Sequence, residues 1–201
     1  LAALRARLGA AAVTHAADAK DAARLAKGAD LAIVVLAQTS SEGRDRANLT
    51  LAQSELAPLV TAANRATIVV TVSPGPFLTS PWFTDAAAMI DLGLPGEQEG
   101  NALVDVLFGD VVPAGKMPHT MPNEWNEVGM SEDQYPGTPP VVRKGGPPAC
   151  TFVPDPNPPG DGFAPCIPTH AHYSEKLLVG YRWYEAHGVK PAYPFGHGLS
   201  Y

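Results

Sequence analysis

The sequence predicts an α/β protein, a three-layer sandwich in which an open, mostly parallel β-sheet carries helices on both faces. Three observations predict it. Residues Leu31-Ala32-Ile33-Val34-Val35-Leu36 are apolar at every position, the pattern of a strand covered on both faces in a parallel sheet. Thr67 to Ser73, reading "TIVVTVS", repeats that character. Between them Leu51, Leu56, Leu59, Val60 and Ala63 recur at helical spacing, and a helical crossover is what two parallel neighbours require.

The elements follow in order. Residues 1–28 are rich in Ala, Leu, Arg and Lys and predict one or two amphipathic helices, stopped at Gly28-Ala29-Asp30. The first strand comes next, and a short polar loop, "SSEGRDR" at 40–46, leaves its carboxyl end. The helix over Thr50 to Ala66 leads into the second strand, and the loop-like "PGPFLTSPWFTD" from Pro74 precedes a third short strand at Ala86–Ile90. "LPGEQEGNALVDVLFGD" reads as a glycine-bounded turn and an amphipathic helix ended near Gly109.

From about 123 to 172 the composition turns to Pro and Gly, which does not build a regular core, so this stretch reads as a surface excursion from a single domain spanning 1–201. Order returns in "YSEKLLVGYRWYEAHGVKPAYPFGHGLSY", where alternating aromatics and glycines predict a final packed strand and turn. No internal repeat is evident.

Composition narrows the function. The chain has 201 residues, 45% hydrophobic and 17% charged, enough to bury a real core. With 14 basic and 20 acidic residues, a net charge of −6 and no basic run, it lacks an electrostatic footprint for nucleic acid. No apolar stretch approaches the roughly 20 residues that span a bilayer. The start, "LAALRARLGA", has neither an initiating Met nor the pattern of a signal peptide. The expectation is a piece of a longer polypeptide whose targeting signal lies upstream.

Several chemistries can be weighed residue by residue. Cys150 and Cys166 lie inside the Pro/Gly-rich excursion; in an oxidising compartment a disulfide between them would remove roughly 3 kcal/mol of unfolded-chain entropy, and the alternative is two free thiols. Cys166, His170 and His172 have the residue types of metal ligands, but no second Cys pair supports a site, so no metal and no cofactor are expected. "PGEQEG" at 95–100 precedes a helix, yet Glu97 and Glu99 would repel a phosphate, and acidic residues complementing the helix dipole are the better account. Asn48-Leu49-Thr50 matches an N-glycosylation sequon; the competing reading is that Asn48 caps the following helix or turn. A Ser/His/Asp triad lacks its strained G-x-S-x-G turn. Carboxylates remain: a glycosidase uses two, one protonating the leaving oxygen, the other attacking or stabilising the anomeric carbon. Glu42, at a strand exit where ligands of open α/β sheets bind, suits one of them, with Arg44, Asp45 and Arg46 able to pair and fix its loop. A solvated charged loop is the other reading of the same spacing.

Three motifs then narrow the choice: "SSEGRDRANLTL" at 40–51, "LPGEQEGNALVDVLFGDVVPAGKMPHTMP" at 94–122 and "LLVGYRWYEAHGVKPAYPFGHGLSY" at 177–201. In this order and spacing, covering about residue 29 to the end, they resemble the C-terminal α/β sandwich domain of glycoside hydrolase family 3. The resemblance implies a β-glucosidase-like, retaining, exo-acting enzyme, whose (β/α)8 barrel supplies an aspartate nucleophile and most sugar contacts. The sandwich would lend the general acid/base, at Glu42, for a β-glucoside or oligosaccharide substrate. No barrel is present in this chain, so it represents half of such an active site and is expected to be inactive by itself. The same resemblance makes "PFGHGLSY" structural, with Phe195 and Tyr201 anchoring the last strand, and leaves Trp82 and Trp183 as candidates to stack on a sugar. The implied location is secreted or in a lysosome- or vacuole-like compartment. The alternatives are a non-catalytic α/β binding or scaffold module and a nucleotide-binding α/β protein.

Overall fold

The computed structural model describes residues 1–16, 18–41, 46–80, 85–135, 137 and 170–200. These fall into two compact units, one formed by Leu1–Thr39, Asn48–Trp125 and Lys190–Tyr201, the other by Ser40–Ala47 and Asn126–Val189.

The first unit holds the sheet. Its strands β1 (Ala32–Ala37), β2 (Thr67–Val72) and β3 (Ala88–Asp91) lie side by side in the order β1-β2-β3, all parallel. The register sets Ala32 against Thr67 and Ala37 against Val72, then Ile68 against Ala88. The fold is thus the open parallel α/β sheet that the alternating pattern predicts. Position within the sheet decides how far each strand is covered. Central β2 buries Thr67, Val69, Val70 and Thr71, whereas β1 buries Ala32, Val34 and Leu36 and leaves Val35 53% exposed. Two covered faces therefore describe β2, and β1 has one.

The helices of this unit are α1 (Ala2–Leu8), α2 (Ala19–Ala26), α3 (Leu56–Ala63) and α4 (Glu99–Leu107). Residues 1–28 yield two helices because Gly9, at φ +87°, turns the chain into a 3-10 turn at Ala10–Ala12. Asp18 caps α2 by accepting the Asp21 amide at 2.8 Å. The predicted helix over Thr50 to Ala66 shortens to α3, because residues 52–55 form turns, with Gln53 at φ +59°. Helix α3 packs on α2 and on β1 and β2. Leu36, Leu51, Ala57, Val60, Val69, Phe77 and Met121 close the core, each large side chain contributing on the order of 1.5–3 kcal/mol through burial.

The terminal segment is strapped to residues 117–121 by backbone hydrogen bonds. The Met117 amide donates to His197 O (2.8 Å), Gly196 to Met117 O (2.9 Å), Met121 to Tyr193 O (2.8 Å) and Ala192 to Met121 O (3.1 Å). A Cβ at Gly198 would stand 2.7 Å from the Gly115 carbonyl oxygen, so only glycine fits there. This is a structural role for "PFGHGLSY", but Phe195 is 52% exposed, and the anchor is fully buried Met121 bridged to Tyr193 instead. Tyr201 lies outside the described residues.

In the second unit, Tyr181–His187 is helix α5, not the strand expected from its aromatics. Gly180 (φ +58°) and Gly188 (left-handed, φ +65°) bound it, and helical i to i+4 spacing stacks Trp183 on His187 at 4.3 Å. Tyr184 is buried, its hydroxyl donating to Glu127 Oε2 at 2.6 Å. Residues 137 and 170 meet closely: a Cβ on Gly137, at φ +98°, would stand 2.7 Å from His170 O. The His172 amide donates to Asp133 O (2.9 Å).

Candidate functional site

Open parallel sheets bind ligands outside the carboxyl ends of their strands, and here that edge is built from residues following β1, β2 and β3. At β1 the ladder continues past Ala37, with the Gln38 amide donating to Val72 O at 2.9 Å. The Gln38 side chain accepts the Ala52 amide (3.2 Å) and donates to Thr39 O (3.2 Å). Asn48 Oδ1 accepts the Thr50 amide (2.9 Å), and Leu49 O accepts the Leu78 amide (2.9 Å). Buried Leu51 follows. The chain thus leaves the sheet unit at Thr39 and re-enters it at Asn48, with hydrogen bonds at both stems of the "SSEGRDR" loop.

At β2 the Ser73 amide donates to Gly93 O (3.1 Å) and its hydroxyl to Gly75 O (2.9 Å). At the end of β3, Asp91 Oδ1 accepts the hydroxyl of buried Thr71 (2.9 Å) and the Gly93 amide (3.4 Å). This carboxylate is absent from the sequence reading. Its signal was an acid closing a strand just before a glycine, a place where it ties one strand end to the next turn.

Of the residues singled out from sequence, Glu42, Arg44, Asp45, Trp82, Cys150 and Cys166 lie outside the described residues. Arg46 is described, and its buried Nη1 has no hydrogen-bond partner among the described residues. Asn48 is exposed and uses its side chain to close a turn, since α3 starts only at Leu56. His172 Nδ1 lies 3.5 Å from Asp133 Oδ2 on an exposed surface, and no group of three or more potential metal ligands occurs among the described residues. Glu99 occupies the first turn of α4 without a side-chain cap, placing negative charge at the positive end of the helix dipole. Trp183 sits in α5 with its ring against His187 and edge-on to Tyr184 at 5.3 Å. No helix among the described residues is long and apolar enough to cross a membrane.

An open parallel sheet with helices packed on it defines the first unit as an α/β fold. Comparison with known proteins makes this specific: the chain belongs to glycosyl hydrolase family 3, matching that family's C-terminal domain over residues 1–201. It is 31% identical over 189 residues to a β-glucosidase of Rhizobium radiobacter, covering 90% of this chain and 19% of the relative. It is 35% identical over 196 residues to the probable β-glucosidase L of Aspergillus terreus, covering 92% and 22%. Among solved structures it resembles DesR, a β-glucosidase from Streptomyces venezuelae in complex with D-glucose, with TM-score 0.72, 32% identity and coverage of 91% and 20%. A Chaetomium thermophilum β-glucosidase superposes with TM-score 0.73 at 28% identity, covering 100% of this chain and 23% of that one. The chain spans about a fifth of the length of these relatives.

Proposed function

We propose that this domain supplies the general acid/base, Glu42, to the active site of a retaining exo-acting β-glycosidase that removes terminal β-D-glucosyl residues. A (β/α)8 barrel elsewhere in the same polypeptide supplies the aspartate nucleophile and most of the sugar pocket. The family match across 1–201 carries this reading, and the loop leaving the carboxyl end of β1 supports it. In the first step Glu42 gives its proton to the glycosidic oxygen as the aspartate attacks the anomeric carbon. In the second it takes a proton from water, which displaces the enzyme carboxylate. Retention requires the two carboxyl groups to stand roughly 5–5.5 Å apart. The stems at Gln38 and Asn48 suit that demand, because a loop held at both ends loses less freedom on meeting a partner surface.

The test is made on the full-length enzyme. Glu42→Ala is expected to depress kcat by about 10²–10⁴-fold for alkyl glucosides, to spare activated aryl glucosides by comparison, and to regain rate with added azide. An equal, small loss for good and poor leaving groups would overturn the assignment.

A further inference from the structure

Three surface arginines of this chain stand beside acids: Arg7, Arg24 and Arg65 reach Asp110, Asp21 and Asp85 at 3.0, 2.9 and 3.0 Å. Arg46 is the reverse case. Its side chain is half-buried, and no hydrogen bond or ion pair joins it to another described residue. An exposed arginine is solvated without a partner, but a covered guanidinium nitrogen gives up its hydration and, with no acceptor, gains nothing in return. Nη1 is the nitrogen of Arg46 that is both covered and unbonded, so the remaining edge of the planar fork is still open to an approaching acceptor.

Position in the chain adds a second argument. Arg46 closes the loop "SSEGRDR", four residues after Glu42 and two before Asn48, whose side chain closes the turn by which the chain returns to the sheet unit. A partner bound to Arg46 therefore holds the same loop that carries the proposed acid/base. The acceptor that complements a partly desolvated guanidinium is a carboxylate, which supplies both the opposite charge and two oxygens matched to the fork. We infer that Arg46 forms an ion pair with a carboxylate from the part of the polypeptide outside residues 1–201, and that through this pair it is a positioning residue for Glu42.

The inference rests on the reading of Glu42 given above and deepens it. The relatives are about five times longer than this chain, so most of the polypeptide that could supply the carboxylate lies outside 1–201. The substrate of that reading, a β-glucoside, offers hydroxyl groups and no charge, and a second copy seated on this loop would stand where substrate must enter. The stems at Gln38 and Asn48 fix the loop to the sheet unit. The ion pair fixes it to the surface that bears the nucleophile, which is the direction that a separation of roughly 5–5.5 Å between the two carboxyl groups demands.

Kinetics of the full-length polypeptide test this. Arg46→Met keeps an apolar stem and removes the charge; it is expected to lower kcat on alkyl glucosides by about 10²-fold, to leave KM little changed, and to lower kcat on 2,4-dinitrophenyl glucoside far less. Arg46→Lys, which keeps the charge and loses the fork, falls between. Added guanidinium ion restores part of the Arg46→Met rate and an equal concentration of potassium does not, a readout that a merely structural role would not move. Glu42→Ala assayed alongside separates two failures. If it shows the dependence on leaving group and Arg46→Met slows both substrates equally or neither, the ion pair is overturned and the acid/base stands; if Glu42→Ala shows no such dependence, the reading falls and the role of Arg46 with it. A crystal structure of the full-length polypeptide is expected to place a carboxylate oxygen from outside 1–201 within about 4 Å of the Arg46 guanidinium. A guanidinium paired with Asp45, with a second copy or with no carboxylate would overturn the inference.

Discussion

Asn64 sits where α3 hands the chain to β2, and its side-chain amide closes three connections there. Its Nδ2 donates to Ala26 O (3.0 Å) and Ala29 O (2.7 Å), satisfying carbonyls at the end of α2, while Oδ1 accepts the Ala66 amide (2.8 Å). One residue thereby joins two helix ends to the start of a strand, in a place no periodicity argument would mark. Asn64→Ala is expected to destabilise the fold by about 2–3 kcal/mol, since three hydrogen bonds are lost at roughly 1 kcal/mol each, although the Ala26 carbonyl keeps the Ala29 amide. Asn64→Asp, which keeps the acceptor and loses both donors, should recover only part of that in chemical denaturation. Tyr184 offers a pH-dependent counterpart. Burial, then its hydrogen bond to Glu127 and the charge of that carboxylate, hold its hydroxyl well above the ordinary tyrosine range. The folded state favours the neutral phenol, so its contribution is whole below the unfolded value of about 10 and is lost as pH rises toward the folded value. Tyr184→Phe is expected to flatten the fall in stability above about pH 10, read from denaturation midpoints across pH.

At the scale of elements, the strands and the two linking helices were legible because their signals are local. β1 is an unbroken apolar run and β2 is interrupted only by Thr67 and Thr71, and α3 and α4 carry apolar residues at helical spacing between polar turns. Helix ends were less legible, since Gln53 with its turn cuts the first turns from the expected helix. "GYRWYEAH" was misread because its aromatics favour strands taken singly. What makes it a helix is the pair of positive-φ glycines at its ends and the burial of Tyr184 on one side. The closing motif was read correctly as structural while its anchor was misplaced: Tyr193 and Met121 hold it through backbone pairing, and Phe195 stands exposed. Backbone pairing between segments some 70 residues apart leaves little trace in side-chain pattern.

At the scale of the whole molecule, the proposed function implies a division of labour. If the acid/base stands on this domain and the nucleophile on a barrel, neither part suffices. Purified residues 1–201 are expected to give no turnover of 4-nitrophenyl β-D-glucoside under conditions where the full-length polypeptide hydrolyses it; measurable turnover by 1–201 would overturn that division. The sequence by itself determined the α/β class, the order of its elements as far as α4 and the family motifs, because hydrophobic period and short glycine-bounded turns are properties of neighbouring residues. It also offered Glu42 as the acid/base, by resemblance and by position after a strand. Only the tertiary structure decided that β2 is enclosed while β1 leaves Val35 exposed, that Asp91 serves Thr71, and that Asn64 joins α2 to β2. Those depend on which distant segments meet, and the free energy of such meetings is set by burial and hydrogen-bond satisfaction across the fold.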